Sequence, residues 1–178
     1  MILAVLLGAT GWTLAEYCIH RWAGHDRRLT GNPFGVEHIT HHSKGNYFSP
    51  TYKKIVTATV VGGMMLGPAA LVAGWAHGAA FVIGFVISYL LYELFHRWEH
   101  VHPGLNAYGR WARRHHFYHH FHDPKVNHGV TTPVWDIVFG TYRQPDVIRV
   151  PRRLAMPWLV DPDTQDVREG LGDWYQLR

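Results

Sequence analysis

Long apolar stretches alternate with polar segments along the chain. The first stretch covers residues 1–19 and carries Glu16 as its only charged residue, the second covers residues 55–76 and carries none, and the third covers residues 79–95 with only Glu93. Each approaches the roughly 20 apolar residues that an α-helix needs to cross the core of a bilayer. The pattern therefore predicts an integral membrane protein with about three transmembrane helices.

Two alternatives compete with this interpretation. The first stretch could be a cleaved signal peptide, but it has no basic start and no small-residue cleavage site, and it runs directly into His20. Residues 55–95 could be a buried hairpin of a soluble protein, although apolar runs this long are seldom needed in a small chain. We expect retained spans, with a tight turn near His77-Gly78 and His77 in the loop.

The basic residues are confined to two polar segments. All 17 Lys and Arg residues lie in residues 20–54 or 96–178, and none lies in the apolar stretches. Lys and Arg are enriched in cytoplasmic loops of membrane proteins. With three spans, both polar segments would face the cytoplasm. We call these two segments the cap and expect it to be helical.

Composition narrows the remaining possibilities. The 178 residues, 47% of them hydrophobic, suit one domain covering residues 1–178. The net charge of +4 could suggest nucleic acid, but that would need a basic face with stacking groups, so we expect no nucleic-acid partner. Cys18, the only cysteine, lies in an apolar run and is expected to be packed.

Histidines recur in four spaced groups within the cap. The groups are His20 with His25, His38-Ile-Thr-His41-His42, His96 with His100, and His116-Phe-Tyr-His119-His120. In a helix, positions i, i+3 and i+4 share a face, so the last group should project three imidazoles toward one point. A lone histidine on an apolar face is more often a core residue than a ligand. Ten in recurring spacings instead favour metal binding, and they exceed what one metal can coordinate.

Other cap residues carry weaker expectations. His20 and His25 are five apart, so Gly24 is expected to end or bend the helix and bring His25 back. Arg113 and Arg114, in a helix predicted over residues 110–122, are expected to contact lipid headgroups or solvent. The short apolar patch at residues 157–160 could rest on the membrane interface or pack on the cap.

The four histidine groups, in this order and with a long apolar hairpin between the second and third, resemble the fatty acid hydroxylase and sterol desaturase superfamily. The segment after the last group, Gly129-Val-Thr-Thr-Pro-Val-Trp-Asp136-Ile-Val-Phe-Gly140-Thr-Tyr, is similar to that superfamily's carboxy-terminal signature, nearest to the fatty acid 2-hydroxylases. The resemblance covers about residues 16–145.

This resemblance implies an integral membrane oxygenase whose cytoplasmic cap holds two iron ions, with O2 as co-substrate; zinc could occupy the site in a purified sample. It differs from the fatty acid 2-hydroxylases because the 178 residues contain no cytochrome b5 domain. An external electron donor of cytochrome b5, ferredoxin or reductase type is therefore expected. By motif position, the metal ligands would be His20, His25, His38, His41, His42, His96, His100, His116, His119 and His120.

Three carboxylates are candidates for orienting these imidazoles. Glu16 lies four residues before His20 and Glu93 three before His96, where a buried carboxylate can accept an imidazole N–H bond. Packing or snorkelling is the alternative for both. Asp136 could act similarly or could cap the following turn. His102, His115, His122 and His128 lie outside the matched positions.

The expected function is O2-dependent hydroxylation of a lipid acyl chain, a reaction that needs a metal centre of this kind. Inserting oxygen into an unactivated C–H bond requires an oxidant that side chains alone do not supply, whereas a redox metal that activates O2 does. Desaturation, or hydroxylation of a sterol or carotenoid, would use the same oxidant. A membrane metal-storage or metal-sensing protein without a substrate is the alternative from another class, and it would favour exposed, flexible histidine-rich loops.

Overall fold

The computed structural model describes residues 1–29, 31–144 and 146–178 and is mostly helical. The described residues divide into two compact units, Met1–Glu16 with Ser49–Leu94 and Tyr17–Phe48 with Phe95–Arg178. The first unit holds most of the apolar helices. The second contains all four histidine groups.

Among the described residues, two helices are long and apolar enough to cross a membrane. Helix α1 (Ile2–Cys18) continues through a π-helical turn (Ile19–Gly24), and helix α3 spans Thr51–Val101. Only 22% and 28% of the residues in their most apolar segments are buried, so these helices keep much of their apolar surface accessible. Exposed apolar surface of this extent is typical of a membrane-embedded segment.

Helix α3 is interrupted at Gly74, whose φ of 76° and ψ of 158° are non-helical. The two halves fold back on each other, since Gly78 lies against the backbone of Ala69 and Ala70, and Gly62 lies against Val86. The turn is therefore at Gly74 and not at the predicted His77-Gly78 position, because glycine adopts a positive φ without the steric cost of a Cβ. His77 is exposed and helical, so its predicted place in a loop is wrong.

Close helix approach in the first unit depends on two glycines. A Cβ at Gly8 would lie 2.0 Å from the carbonyl oxygen of Phe81, and one at Gly84 would lie 2.1 Å from that of Val5. Only a hydrogen side chain permits such backbone contact, which is a common basis for packing between membrane helices.

In the second unit, the two histidine-bearing helices each begin with an asparagine cap. Helix α2 covers Pro33–Lys44, and the Asn32 side chain accepts a hydrogen bond from the Gly35 amide at 3.0 Å. Helix α4 covers Ala107–Phe121, and Asn106 accepts from the Gly109 amide at 2.8 Å. Such caps satisfy amides that the first helical turn leaves unpaired.

The carboxy-terminal part of this unit departs from the all-α prediction. After the short helix α5 (Val134–Val138), strands β1 (Ile148–Val150) and β2 (Tyr175–Leu177) form a parallel pair, with a 3-10 turn at Arg152–Leu154. Their apolar side chains pack on α4 in a cluster made of Phe117, Phe121, Ile148, Val150, Met156, Leu159 and Tyr175. This cluster fixes the face of α4 that is turned away from the histidines.

The same packing shows where the apolar patch at residues 157–160 and the Arg113 side chain lie. Leu159 is fully buried, and the Trp158 indole donates to the His100 carbonyl at 2.9 Å, so the patch at residues 157–160 packs on the cap. Arg113 does not contact solvent or headgroups as predicted. It is buried, donates from Nε to the Glu99 carbonyl at 2.8 Å, and stacks 4.5 Å above the Trp158 ring, which compensates for its desolvation.

Candidate metal centre

Ten imidazoles from four separate segments converge in two groups of five. Within each group, the ligand nitrogens all lie within 4.8 Å of one another. The first histidine group consists of His20, His25, His38, His42 and His119. The second histidine group consists of His41, His96, His100, His116 and His120. These are the ten residues singled out by the sequence, and each group offers enough donors for one metal ion.

Helical geometry explains why α2 and α4 each contribute to both groups. His38 and His42, four residues apart, point into the first group, whereas His41 points into the second. In α4, His116 and His120 point into the second group and His119 into the first. The prediction that the three α4 imidazoles share one point is therefore wrong, because i+3 and i+4 differ by about 100° around the helix axis.

A π-helical turn brings His20 and His25 together. The turn at Ile19–Gly24 has more residues per turn than an α-helix, so positions five apart approach the same face, and the two rings lie 5.4 Å apart. The helix ends at Gly24, as expected. A Cβ at Gly24 would lie 2.9 Å from the Cδ2 atom of His38, so glycine also makes room for another imidazole of the same group.

Backbone carbonyls orient three of the imidazoles. The Nδ1 atom of His20 donates to the His128 carbonyl at 2.5 Å, that of His119 to the Val126 carbonyl at 2.8 Å, and that of His41 to the Tyr47 carbonyl at 2.7 Å. A proton on Nδ1 leaves the lone pair on Nε2. In each case Nε2 is therefore the atom available to a metal.

The spacing of the nitrogens fits a metal. Nε2 of His25 lies 2.8 Å from Nε2 of His38 and 2.9 Å from that of His119, and in the second group Nε2 of His100 and His116 are 3.0 Å apart. Adjacent imidazole ligands of an octahedral ion with bonds of about 2.1 Å would be about 3 Å apart. The groups thus have ligand spacing as well as ligand chemistry.

Several donor nitrogens have no other use within the protein. Among the described residues, Nε2 of His20, Nε2 of His42 and both ring nitrogens of His120 are buried without a hydrogen-bond partner. An unpaired buried nitrogen is costly unless a ligand satisfies it. Since zinc, copper and iron all accept imidazoles, the donors fit a metal without naming it.

Burial keeps these imidazoles in the neutral form that binds metals. Desolvation, reinforced by neighbouring histidines, lowers the pKa of His38, His42 and His119 well below the ordinary value. The same causes lower the pKa of His25 to about 4. At neutral pH these rings therefore carry a free lone pair and no charge.

The two groups touch through one stacked pair. The His42 ring of the first group lies parallel to the His120 ring of the second, with centroids 3.9 Å apart and planes inclined by 5°. Two ions held by these groups would be neighbours within the same unit. Such an arrangement suits chemistry in which two metals act together.

The three candidate carboxylates have different surroundings. Glu93 forms an ion pair with Lys54, a partner that the sequence did not indicate. Glu16 is buried. Asp136 is also buried, which opposes ionisation, but hydrogen bonds from His115, Gly129, Thr141 and His128 outweigh burial and hold the pKa of its carboxyl below the ordinary value.

The histidines outside the matched positions separate into buried and exposed ones. His128 is buried, its ring 5.3 Å from that of His119, and the Nε2 atom of His115 lies 3.3 Å from Asp136. His102 and His122 are exposed, and His122 accepts a hydrogen bond from the Arg149 amide.

The backbone carbonyls that orient three of the imidazoles could not be predicted from the sequence, because any residue type supplies a carbonyl. Only the five-residue spacing of His20 and His25 hinted at special backbone geometry.

Comparison with known proteins identifies the family of this chain. The fatty acid hydroxylase family model matches residues 5–141. The chain is 30% identical over 148 residues to the ceramide very long chain fatty acid hydroxylase scs7 of Schizosaccharomyces pombe, covering 76% of this chain and 41% of that protein. It is also 30% identical over 144 residues to the fatty acid 2-hydroxylase of Homo sapiens, covering 76% and 38%. The chain thus spans about two fifths of the length of these relatives.

A solved structure shares the fold. The structure described as full-length scs7p, with only the hydroxylase domain visible, superposes with a TM-score of 0.60 at 27% identity and covers 82% of this chain and 58% of that one. Fold and site together define a mostly helical protein with two candidate membrane-spanning helices and histidine clusters suited to metal binding. The chain belongs to the fatty acid hydroxylase family.

Proposed function

We propose that this chain is a lipid hydroxylase that inserts one atom of O2 into a C–H bond of an acyl chain, using two iron ions held by the two histidine groups. The convergence of ten imidazoles into two groups of five, seven of them buried and three half-buried, is the observation that carries this proposal. The named hydroxylases among its relatives support an acyl chain as the substrate class.

The balanced reaction defines the partners that the protein needs. One oxygen atom enters the C–H bond and the other leaves as water, which consumes two electrons and two protons. An external donor of cytochrome b5, ferredoxin or reductase type supplies the electrons. The metal pair, when bound, supplies the O2 activation that side chains lack.

The residues of the chain have defined tasks in this reaction. The imidazoles hold the ions as neutral ligands, and the carbonyls of His128, Val126 and Tyr47 keep three of those rings turned towards the metal positions. Burial excludes bulk water from the centre, which limits side reactions of an activated oxidant. Glu16 and Glu93 remain candidates for tuning ligand orientation.

The proposed topology has three membrane spans, formed by α1 and by the two halves of α3 on either side of Gly74. A straight helix of 51 residues would measure roughly 75 Å, far more than the roughly 30 Å core of a bilayer. The confinement of Lys and Arg to residues 20–54 and 96–178 supports a cap on the cytoplasmic side.

Lipid analysis of cells with and without the gene under ¹⁸O2 tests the activity. The expected result is a hydroxylated acyl lipid that carries one ¹⁸O atom and disappears in the His119→Ala variant together with bound metal. His77→Ala, which changes an exposed histidine of the other unit, is the control and should leave product and metal content unchanged.

Other results would replace the proposal with a rival. Lipids that gain double bonds without label would indicate a desaturase, and label in a sterol or carotenoid would change the substrate class. A wild-type protein that holds two metal ions but changes no lipid would indicate a metal-binding protein without catalysis.

A further inference from the structure

The loop at residues 126–129 joins α4 to the carboxy-terminal part of the second unit, and its two hydrogen bonds to group imidazoles described above go to the same histidine group. Its Val126 carbonyl accepts the Nδ1 proton of His119, and its His128 carbonyl accepts that of His20. Both imidazoles belong to the first group. The orienting carbonyl described for the second group comes from Tyr47, in a different segment.

The Asp136 carboxylate accepts hydrogen bonds from backbone amides of this loop. Its Oδ1 atom accepts the His128 amide at 2.8 Å, and its Oδ2 atom accepts the Gly129 amide at 2.8 Å. The Thr141 hydroxyl donates to Oδ1 at 2.7 Å, and His115 lies 3.3 Å from Oδ2. The His128–Gly129 peptide group therefore links the two residues, because its N–H donates to Asp136 and its carbonyl accepts from His20.

Asn127 fixes the loop from the other side. It has a left-handed φ of 56°, and its amide group donates to the carbonyls of His115 and Arg143 at 3.3 and 3.0 Å. Its own backbone amide donates to the Thr141 carbonyl at 2.9 Å. Asparagine adopts this conformation more readily than other non-glycine residues, and these three hydrogen bonds hold it there.

We infer that Asp136 is a positioning residue for the first metal ion alone: it fixes the loop at residues 126–129, whose carbonyls aim His20 and His119. This inference rests on the proposed two-metal centre and deepens it. The carboxylate acts through the backbone of the loop, not by direct contact with a ligand imidazole. Its effect is therefore expected at the first histidine group and not at the second, although both groups contain five histidines.

The Asp136→Asn variant tests the inference by metal content. The carboxamide keeps the size of the side chain, but its NH2 group cannot accept an amide proton, so one of the two loop amides loses its partner. In detergent-purified protein loaded with Fe(II), the wild type should bind two ions per chain. The variant should hold one ion normally and the other with about 10–100-fold weaker affinity, as measured by chelator competition.

Ligand variants identify which ion is affected. His25→Ala should weaken only the first group and His96→Ala only the second. Adding Asp136→Asn should change little in the His25→Ala background but should remove the remaining ion in the His96→Ala background. Asp163→Asn, at an exposed carboxylate, is the matched control and should bind two ions.

The outcomes separate this inference from the proposed function. A wild-type chain that cannot bind two ions would contradict the two-metal centre itself. Equal weakening of both ions, or of neither, in Asp136→Asn would contradict the positioning role. If that variant does not fold, Thr141→Val removes one donor to the carboxylate and should still weaken the first ion selectively; equal affinities there would overturn the inference.

Discussion

The positions of individual imidazoles in the centre depend on single neighbouring residues. Gly24 shows this most directly, since it ends the π-helical turn that brings His25 to the first group and leaves space for the His38 ring. A methyl group at this position would meet that ring below normal contact distance. The geometry of the first histidine group is thus sensitive to a residue that carries no imidazole.

Gly24→Ala should therefore weaken metal binding at the first group. The added Cβ would lie 2.9 Å from the Cδ2 atom of His38 and displace that imidazole. We expect about tenfold weaker binding of one of the two ions, measured by chelator competition. Gly31→Ala, where a Cβ meets nothing within 4 Å, is the control and should bind both ions as the wild type does.

At the scale of elements, glycines set where helices turn and how closely they pack. The apolar pattern predicted both halves of α3, but it placed the turn three residues late. Hydrophobicity is uniform around Gly74, and only the backbone geometry at that residue marks the turn. The π-helical turn escaped prediction for a similar reason, since apolar periodicity does not distinguish a local change in helical pitch.

Gly84→Val should disrupt the packing of α3 against α1. Its Cβ would lie 2.1 Å from the Val5 carbonyl oxygen, so the backbones would have to separate. We expect a loss of about 1–3 kcal/mol in the free energy of unfolding, seen as a lower midpoint on denaturation in detergent micelles. Gly63→Val adds the same side chain where nothing lies within 4 Å, and it should leave the midpoint unchanged. Equal destabilisation by both substitutions would contradict this explanation.

For the whole molecule, the sequence predicted the apolar helices and the ten histidines that the structure brings together, because both follow from residue type and spacing. It did not predict that His119 belongs to a different group from His116 and His120, since that depends on where α2 and the π-helical turn lie. The buried position of Arg113 and the β1–β2 pair depend on tertiary contacts in the same way. Their partners are far away in the sequence and follow no periodic pattern.

Metal removal should destabilise the protein, because ring nitrogens of His20, His42 and His120 are buried without a hydrogen-bond partner among the residues that the structure describes. Each ion at 100 times its dissociation constant would stabilise the folded state by about 2.7 kcal/mol, and two ions by about 5 kcal/mol. In a chain of this size, this corresponds to a decrease in Tm of about 10–20 °C after both ions are chelated, reversed by Fe(II). The measurement is thermal unfolding in detergent with and without chelator. A variant that combines His25→Ala with His96→Ala lacks one ligand in each group and should respond much less. An unchanged Tm in the chelated wild type would mean that the convergence of the imidazoles does not depend on bound metal.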